Sequence, residues 1–84
     1  MINKEILKKQ IIYRSNHRGT KEMDILLGNF VKTYINEFND NELKDLEKLL
    51  SIEDEIIYDW YLNRNSDNSI PNTKVSLMFK NFKL

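Results

Sequence analysis

Few residues in this chain are equipped for covalent chemistry. His17 is its one histidine; it lies beside Arg18, and no carboxylate is closer in sequence than Glu22. Acid–base catalysis needs a titrating group held against a partner or a substrate proton, and nothing in this stretch supplies the partner. There is no cysteine, so thiolate nucleophiles and thiolate metal sites are excluded. With one histidine there is no H-E-x-x-H, and neither G-x-x-x-x-G-K-[ST] nor G-x-G-x-x-G occurs. The acids of "IEDEIIYD" lack the spacing of a calcium loop and read as a solvated helix start. Trp60 and Tyr61 have ring faces that could stack a base or a flavin, but their helical spacing with Ile56 and Ile57 assigns them to a core. What remains is binding chemistry. It is concentrated in "YRSNHRGTKEMDILLGNF", residues 13 to 30, which holds both glycines of the chain.

Arg14, Arg18, Gly19, Glu22 and Asp24 lie where one helix ends and another begins. Capping accounts for all five. Gly19 can take the positive φ that closes a helix, cations suit a helix C-terminus, and anions suit the first turn of the next helix. A docking surface accounts for more. At about 100° per residue, Glu22 and Asp24 stand some 200° apart and flank the apolar stripe on opposite sides. One can fix Arg18 or the junction while the other faces outward. The face opposite the stripe carries Lys21, Ile25, Gly28 and Lys32. An outward isoleucine beside a mid-helix glycine, which costs about 1 kcal/mol relative to alanine, fits close approach of another backbone. Arg14, Arg18, Gly19, Glu22, Asp24, Ile25 and Gly28 are therefore the candidate partner-binding residues.

The elements that position them are helical. Ile2, Ile6, Leu7, Ile11 and Tyr13 suggest a first helix ending near residue 17. Met23, Leu26, Leu27, Phe30, Val31 and Tyr34 form the stripe of a second helix over residues 20–37. Asn39 and Glu42 fit a capping box, with Phe38 and Leu43 placed as its hydrophobic staple. The third helix then faces inward through Leu43, Leu46, Leu49 and Leu50. Asp54 is the expected N-cap of a fourth helix carrying Ile56, Ile57, Trp60 and Tyr61. "NRNSDNSIPN" reads as a loop, and Val75, Met78, Phe79 and Phe82 mark a short fifth helix over about residues 73–82. Short connections favour antiparallel neighbours, so the expected fold is all-α: a compact five-helix bundle forming one domain over residues 1–84.

Composition narrows the function classes. Eighty-four residues make one small domain with a modest core. No apolar run approaches the roughly 18 residues of a membrane helix, and "MINKEILKKQ" lacks the apolar stretch of a secretory signal, so a cytoplasmic location is expected. The absence of alanine and the abundance of lysine, isoleucine and asparagine suggest an AT-rich bacterial genome. Net charge is zero but unevenly spread: +4 over residues 1–35, −7 over 36–59 and +3 over 60–84. Such a chain can orient on a charged partner, yet it lacks the basic stripe of a nucleic-acid binder, and its most charged helix is acidic. A small helical interaction module or an antitoxin-like nucleic-acid-binding regulator is the alternative reading.

"RGTKEMD" resembles the R-G-x-x-E-x-D signature of the succinate dehydrogenase assembly factors. "FNDNELKDLEKLLSIEDEIIYDWYL" is similar to that family's acidic third helix, acid-rich turn and aromatic fourth helix, so the likeness covers roughly residues 6–63. The resemblance implies a small five-helix protein that binds the flavoprotein subunit of succinate dehydrogenase, with fumarate reductase as a further client, and promotes covalent attachment of FAD. It carries the partner-binding motif onto Arg18, Gly19, Glu22 and Asp24. It also implies a monomeric, non-catalytic chaperone with no cofactor of its own, FAD being held by the partner, whose own histidine attacks the 8α-methyl carbon of the flavin. Positions before Arg18 that are often basic in the family are here Asn16 and His17.

Overall fold

A computed structural model describes residues 3–64 and 70–83. Its elements are α1 (Lys4–Asn16), α2 (Lys21–Tyr34), a 3-10 turn (Ile35–Glu37), α3 (Asp40–Leu50), α4 (Asp54–Tyr61) and α5 (Lys74–Asn81). The all-α expectation holds: five helices, and no strand among the described residues. Helix α1 packs on α2 and α3, and α3 packs on α5.

Each helix starts on a side chain suited to the task, α4 excepted. Asn3 Oδ1 accepts from the amides of Glu5 and Ile6 at the head of α1. Thr20 and Thr73 cap α2 and α5 through the amides of Met23 and Ser76. The capping box of α3 forms as its spacing indicated: Asn39 and Glu42 exchange two 2.9 Å hydrogen bonds, each between a side chain and the other residue's amide. Phe38 and Leu43 are both buried beside it. At α4 the expectation fails. Glu53 takes the N-cap position without a side-chain cap bond, and Asp54 is the first residue of the helix.

The second-helix stripe is buried from Met23 to Val31, with Tyr34 half-buried; the α-helix ends at Tyr34 and the 3-10 turn carries Ile35 inward. The first helix departs more. Its buried line is Leu7, Ile11 and Ser15, whereas Ile6 and Tyr13 are 54% and 62% exposed. A strict four-residue step explains this: Ile6 stands about 100° off the line through Leu7 and Ile11. Ile2 lies outside the described residues, as do residues 65–69 of the expected loop.

Aromatic rings knit the far end. Phe30 meets Phe79 and Phe82 edge-on at 5.3 and 5.4 Å between centroids and Tyr34 at 5.3 Å. Trp60 stacks on Phe79, and the Tyr61 hydroxyl donates to the Phe82 carbonyl. Both residues are half-buried and pack against the core, as their spacing implied. Helix α4 closes on Asn63 at φ 59°: Arg64 N–H donates to the Asp59 carbonyl and Asn63 N–H to the Trp60 carbonyl. That pair of bonds is a Schellman stop.

Candidate functional site

Helix α1 stops at Asn16, and the chain needs four residues to turn into α2. His17 forms the C-cap at φ −128°; its ring lies 3.9 Å over Tyr13, and Nδ1–H donates to the Tyr13 carbonyl at 2.8 Å. The histidine is thus absorbed in ending the helix. No glycine among the described residues has positive φ, so Gly19 does not close α1 in the left-handed conformation that capping suggested.

Arg18 turns inward and organises the junction. Its amide donates to Asp24 Oδ1 at 2.5 Å. Its Nε donates to Asp54 Oδ1 at 2.6 Å, Nη1 to the Leu50 carbonyl at 2.6 Å, and Nη2 to the Ile52 carbonyl at 2.9 Å. The Gly19 amide takes the second oxygen of the same carboxylate, Asp54 Oδ2, at 2.5 Å. The side chains of Arg18 and Asp54 are only 9% and 14% exposed. The arrangement follows from backbone chemistry. The last carbonyls of α3 have no helical partner and a negative end-charge, so a guanidinium fork suits them. The first turn of α4 presents the opposite charge, which suits the Asp54 carboxylate. One ion pair therefore ties the α1–α2 junction to the α3–α4 turn.

Asp24 holds the junction, and Glu22 points the other way: it is exposed and has no intramolecular bond among the described residues. Gly19 is exposed, and a Cβ placed on it would come within 3.2 Å of Asp54 Oδ2, a tight contact with the carboxylate that its amide binds. Gly28 lies against α1: a Cβ there would run into Asn16 Oδ1, with the Ser15 carbonyl 3.8 Å away. The neighbour at this position is the chain's own first helix, whose exposed Asn16 side chain takes the space of a Cβ, with buried Ser15 at ordinary contact distance behind it. Arg14 pairs loosely with Glu47 of α3 at 3.7 Å.

The surface left over mixes exposed polar side chains with large apolar ones. Ile25 is 44% exposed and stands between two depressions. One, of about 680 Å³, runs between α1 and α2 past Ile12 and Gly28. The other, of about 300 Å³, lies between α2 and α4, lined by Leu26, Tyr58, Tyr61 and Leu62 with Glu22 at its rim. Of the seven candidate residues, Gly19, Glu22 and Ile25 are presented outward, while Arg18 and Asp24 form the frame beneath them. Asp54, Tyr58 and Leu62 escaped the sequence reading as site residues. Asp54 carried a signal, an acid at a helix start, but nothing local tied it to Arg18.

A family model described as the flavinator of succinate dehydrogenase matches residues 9–83. The chain is 45% identical to the mitochondrial succinate dehydrogenase assembly factor 2 of Scheffersomyces stipitis over 67% of its own length and 38% of that protein's. It is 39% identical to the FAD assembly factor SdhE of Acetobacter pasteurianus over 68% of its length and 52% of the relative's. A further assembly factor 2, from Dictyostelium discoideum, is 37% identical over 75% of this chain and 48% of the relative. The chain thus spans about half or less of the length of these relatives. No solved structure matches it. With a match that runs from the middle of α1 to the end of α5, the chain belongs to the family of flavinators of succinate dehydrogenase.

Proposed function

We propose that this protein binds the flavoprotein subunit of succinate dehydrogenase, with the fumarate reductase flavoprotein as a second client, and promotes covalent attachment of FAD to it. The observation that carries the reading is the outward set Gly19, Glu22 and Ile25 beside an apolar cleft, mounted on a fixed frame in a member of this family. The cleft accepts an apolar side chain of the partner, and Glu22 accepts a hydrogen bond from a neighbouring donor. Gly19 lets the partner backbone come close. Arg18 works from beneath, because three of its five guanidinium donors are held by Asp54 and the carbonyls of Leu50 and Ile52 and its side chain is largely buried. This differs from a direct contact between Arg18 and a partner carboxylate, the role its charge suggests.

The protein has no cofactor of its own in this reading; FAD is bound by the flavoprotein, and the covalent bond forms there. The chain acts as a monomeric chaperone in the cytoplasm, holding the loaded flavoprotein so that its reacting groups align. Orientation of that kind is worth several kcal/mol of a barrier, up to about 7–11 in the best-aligned cases. No helix of the described residues is long and apolar enough to cross a membrane.

Flavinylation of the purified apo-flavoprotein with FAD, followed by in-gel flavin fluorescence, tests the reading. The wild-type chain should accelerate labelling. Glu22→Arg and Ile25→Asp should each slow it at least tenfold while leaving the circular-dichroism spectrum and melting midpoint close to wild type. Equal labelling with and without the wild-type chain, or full activity in both variants, rejects it. A salt-sensitive shift of DNA by the chain would instead favour a nucleic-acid-binding regulator.

A further inference from the structure

Asp54 receives no role in the docking motif, which ends at Asp24, yet the junction depends on it. Its two oxygens are divided between Arg18 Nε at 2.6 Å and the Gly19 amide at 2.5 Å. It thereby fixes both the side chain of the first motif residue and the backbone of the second. It does so from the first residue of α4, the helix that also brings Tyr58 and Tyr61 to the cleft. The second oxygen is what distinguishes this from an ordinary ion pair. Pairing with Arg18 would be satisfied through Oδ1 alone. The bond from Gly19 N–H to Oδ2 instead sets where the exposed glycine sits relative to α4 and to the far wall of the cleft.

We propose that Asp54 is a positioning residue for client docking: its bidentate contact presets the Arg18–Gly19 backbone in the geometry that the partner recognises. The proposal rests on the docking reading above. Without the second contact the junction samples several positions, and only a fraction of the molecules is competent to bind. Apparent affinity then falls by that fraction, while the rate within the complex is unchanged.

Asp54→Asn tests this, because it keeps an acceptor oxygen for Arg18 but replaces the acceptor for Gly19 with a donor. The expected result is a folded protein whose core amides exchange hydrogen as in wild type and whose Gly19 amide exchanges at least tenfold faster. The concentration giving half-maximal flavinylation of the FAD-loaded flavoprotein should rise at least tenfold, with the plateau rate within twofold. Glu53→Gln, which removes a neighbouring exposed charge without touching the latch, should shift neither quantity by more than twofold. An equal effect of Glu53→Gln, or wild-type affinity in a folded Asp54→Asn with a freed Gly19 amide, overturns the proposal. Should Asp54→Asn fail to fold, Asp54→Glu decides. That variant keeps the ion pair and displaces the carboxylate by one methylene, so Gly19 protection and affinity must be lost or retained together. Either one moving alone overturns the proposal. If the wild-type chain itself does not bind the flavoprotein, the docking reading has failed; wild-type binding with unchanged affinity in the Asp54 variant overturns this proposal alone.

Discussion

At the scale of single residues, Arg18 shows how charge and role can part company. An arginine at a helix junction invites an outward reading, yet here every resolved contact of its guanidinium points into the chain. Deleting one partner of a largely buried, hydrogen-bonded pair leaves the other stranded, at a cost of about 3–5 kcal/mol. Arg18→Ala should therefore lower the urea-unfolding free energy by about that amount, a large share of what an 84-residue domain has. A loss under about 1 kcal/mol would mean that water replaces the latch. Activity measured with Arg18 variants then reports the frame as much as the interface, so Glu22 and Ile25 are the cleaner probes of docking. The glycines carry the same lesson. Both have close neighbours within the chain, the Asp54 carboxylate for Gly19 and the Asn16 side chain for Gly28.

At the scale of elements, helix starts are where local chemistry decides most. The α3 capping box illustrates it. The Asn39 amide donates to the Glu42 carboxylate, and this bond, supported by Lys74 at 3.3 Å, lowers the Glu42 pKa below the ordinary glutamate value of about 4.3. Because the folded-state value is the depressed one, stability from this cap is fully present above the unfolded value. It is lost as pH falls through the folded value. Glu42→Gln should accordingly flatten the drop in melting midpoint as pH falls through and below the ordinary glutamate range, measured by thermal circular dichroism. An identical pH profile in the variant would show that the cap is not ionisation-dependent. Elements also explain where the reading of α1 went astray. Ile6, Ile12 and Tyr13 supply hydrophobicity without a single stripe, and only the four-step line Leu7–Ile11–Ser15 is buried.

At the scale of the whole molecule, the core and the candidate site share helices and meet at Leu26 and Tyr61, which line the cleft and also pack in or against the core. Phe30 anchors the aromatic cluster on α2, one to two turns beyond Ile25 on the same helix. Phe30→Ala should cost about 3–5 kcal/mol in chemical denaturation. A stable, fully active Phe30→Ala would contradict the packing described here. The charge segregated along the sequence, −7 between residues 36 and 59, is partly paired in space: Lys4, Arg14 and Arg18 of the basic first third meet Asp40, Glu47 and Asp54.

Periodicity and caps are local, so the sequence by itself determined five helices, the buried stripes of α2 and α3, the Asn39 box and family membership through "RGTKEMD" and its neighbours. It also separated Glu22 from Asp24 by angle alone, and the structure gives the junction to Asp24 and the surface to Glu22. What the tertiary structure decided are contacts between distant segments: Arg18 on Asp54, 36 positions away, Gly28 against Asn16, and Tyr58 and Leu62 opposite Ile25. Their residue types are ordinary at their own positions and acquire meaning only once the α3–α4 turn is laid over the α1–α2 junction. Packing of helices chooses that neighbour, and no spacing along the chain encodes it.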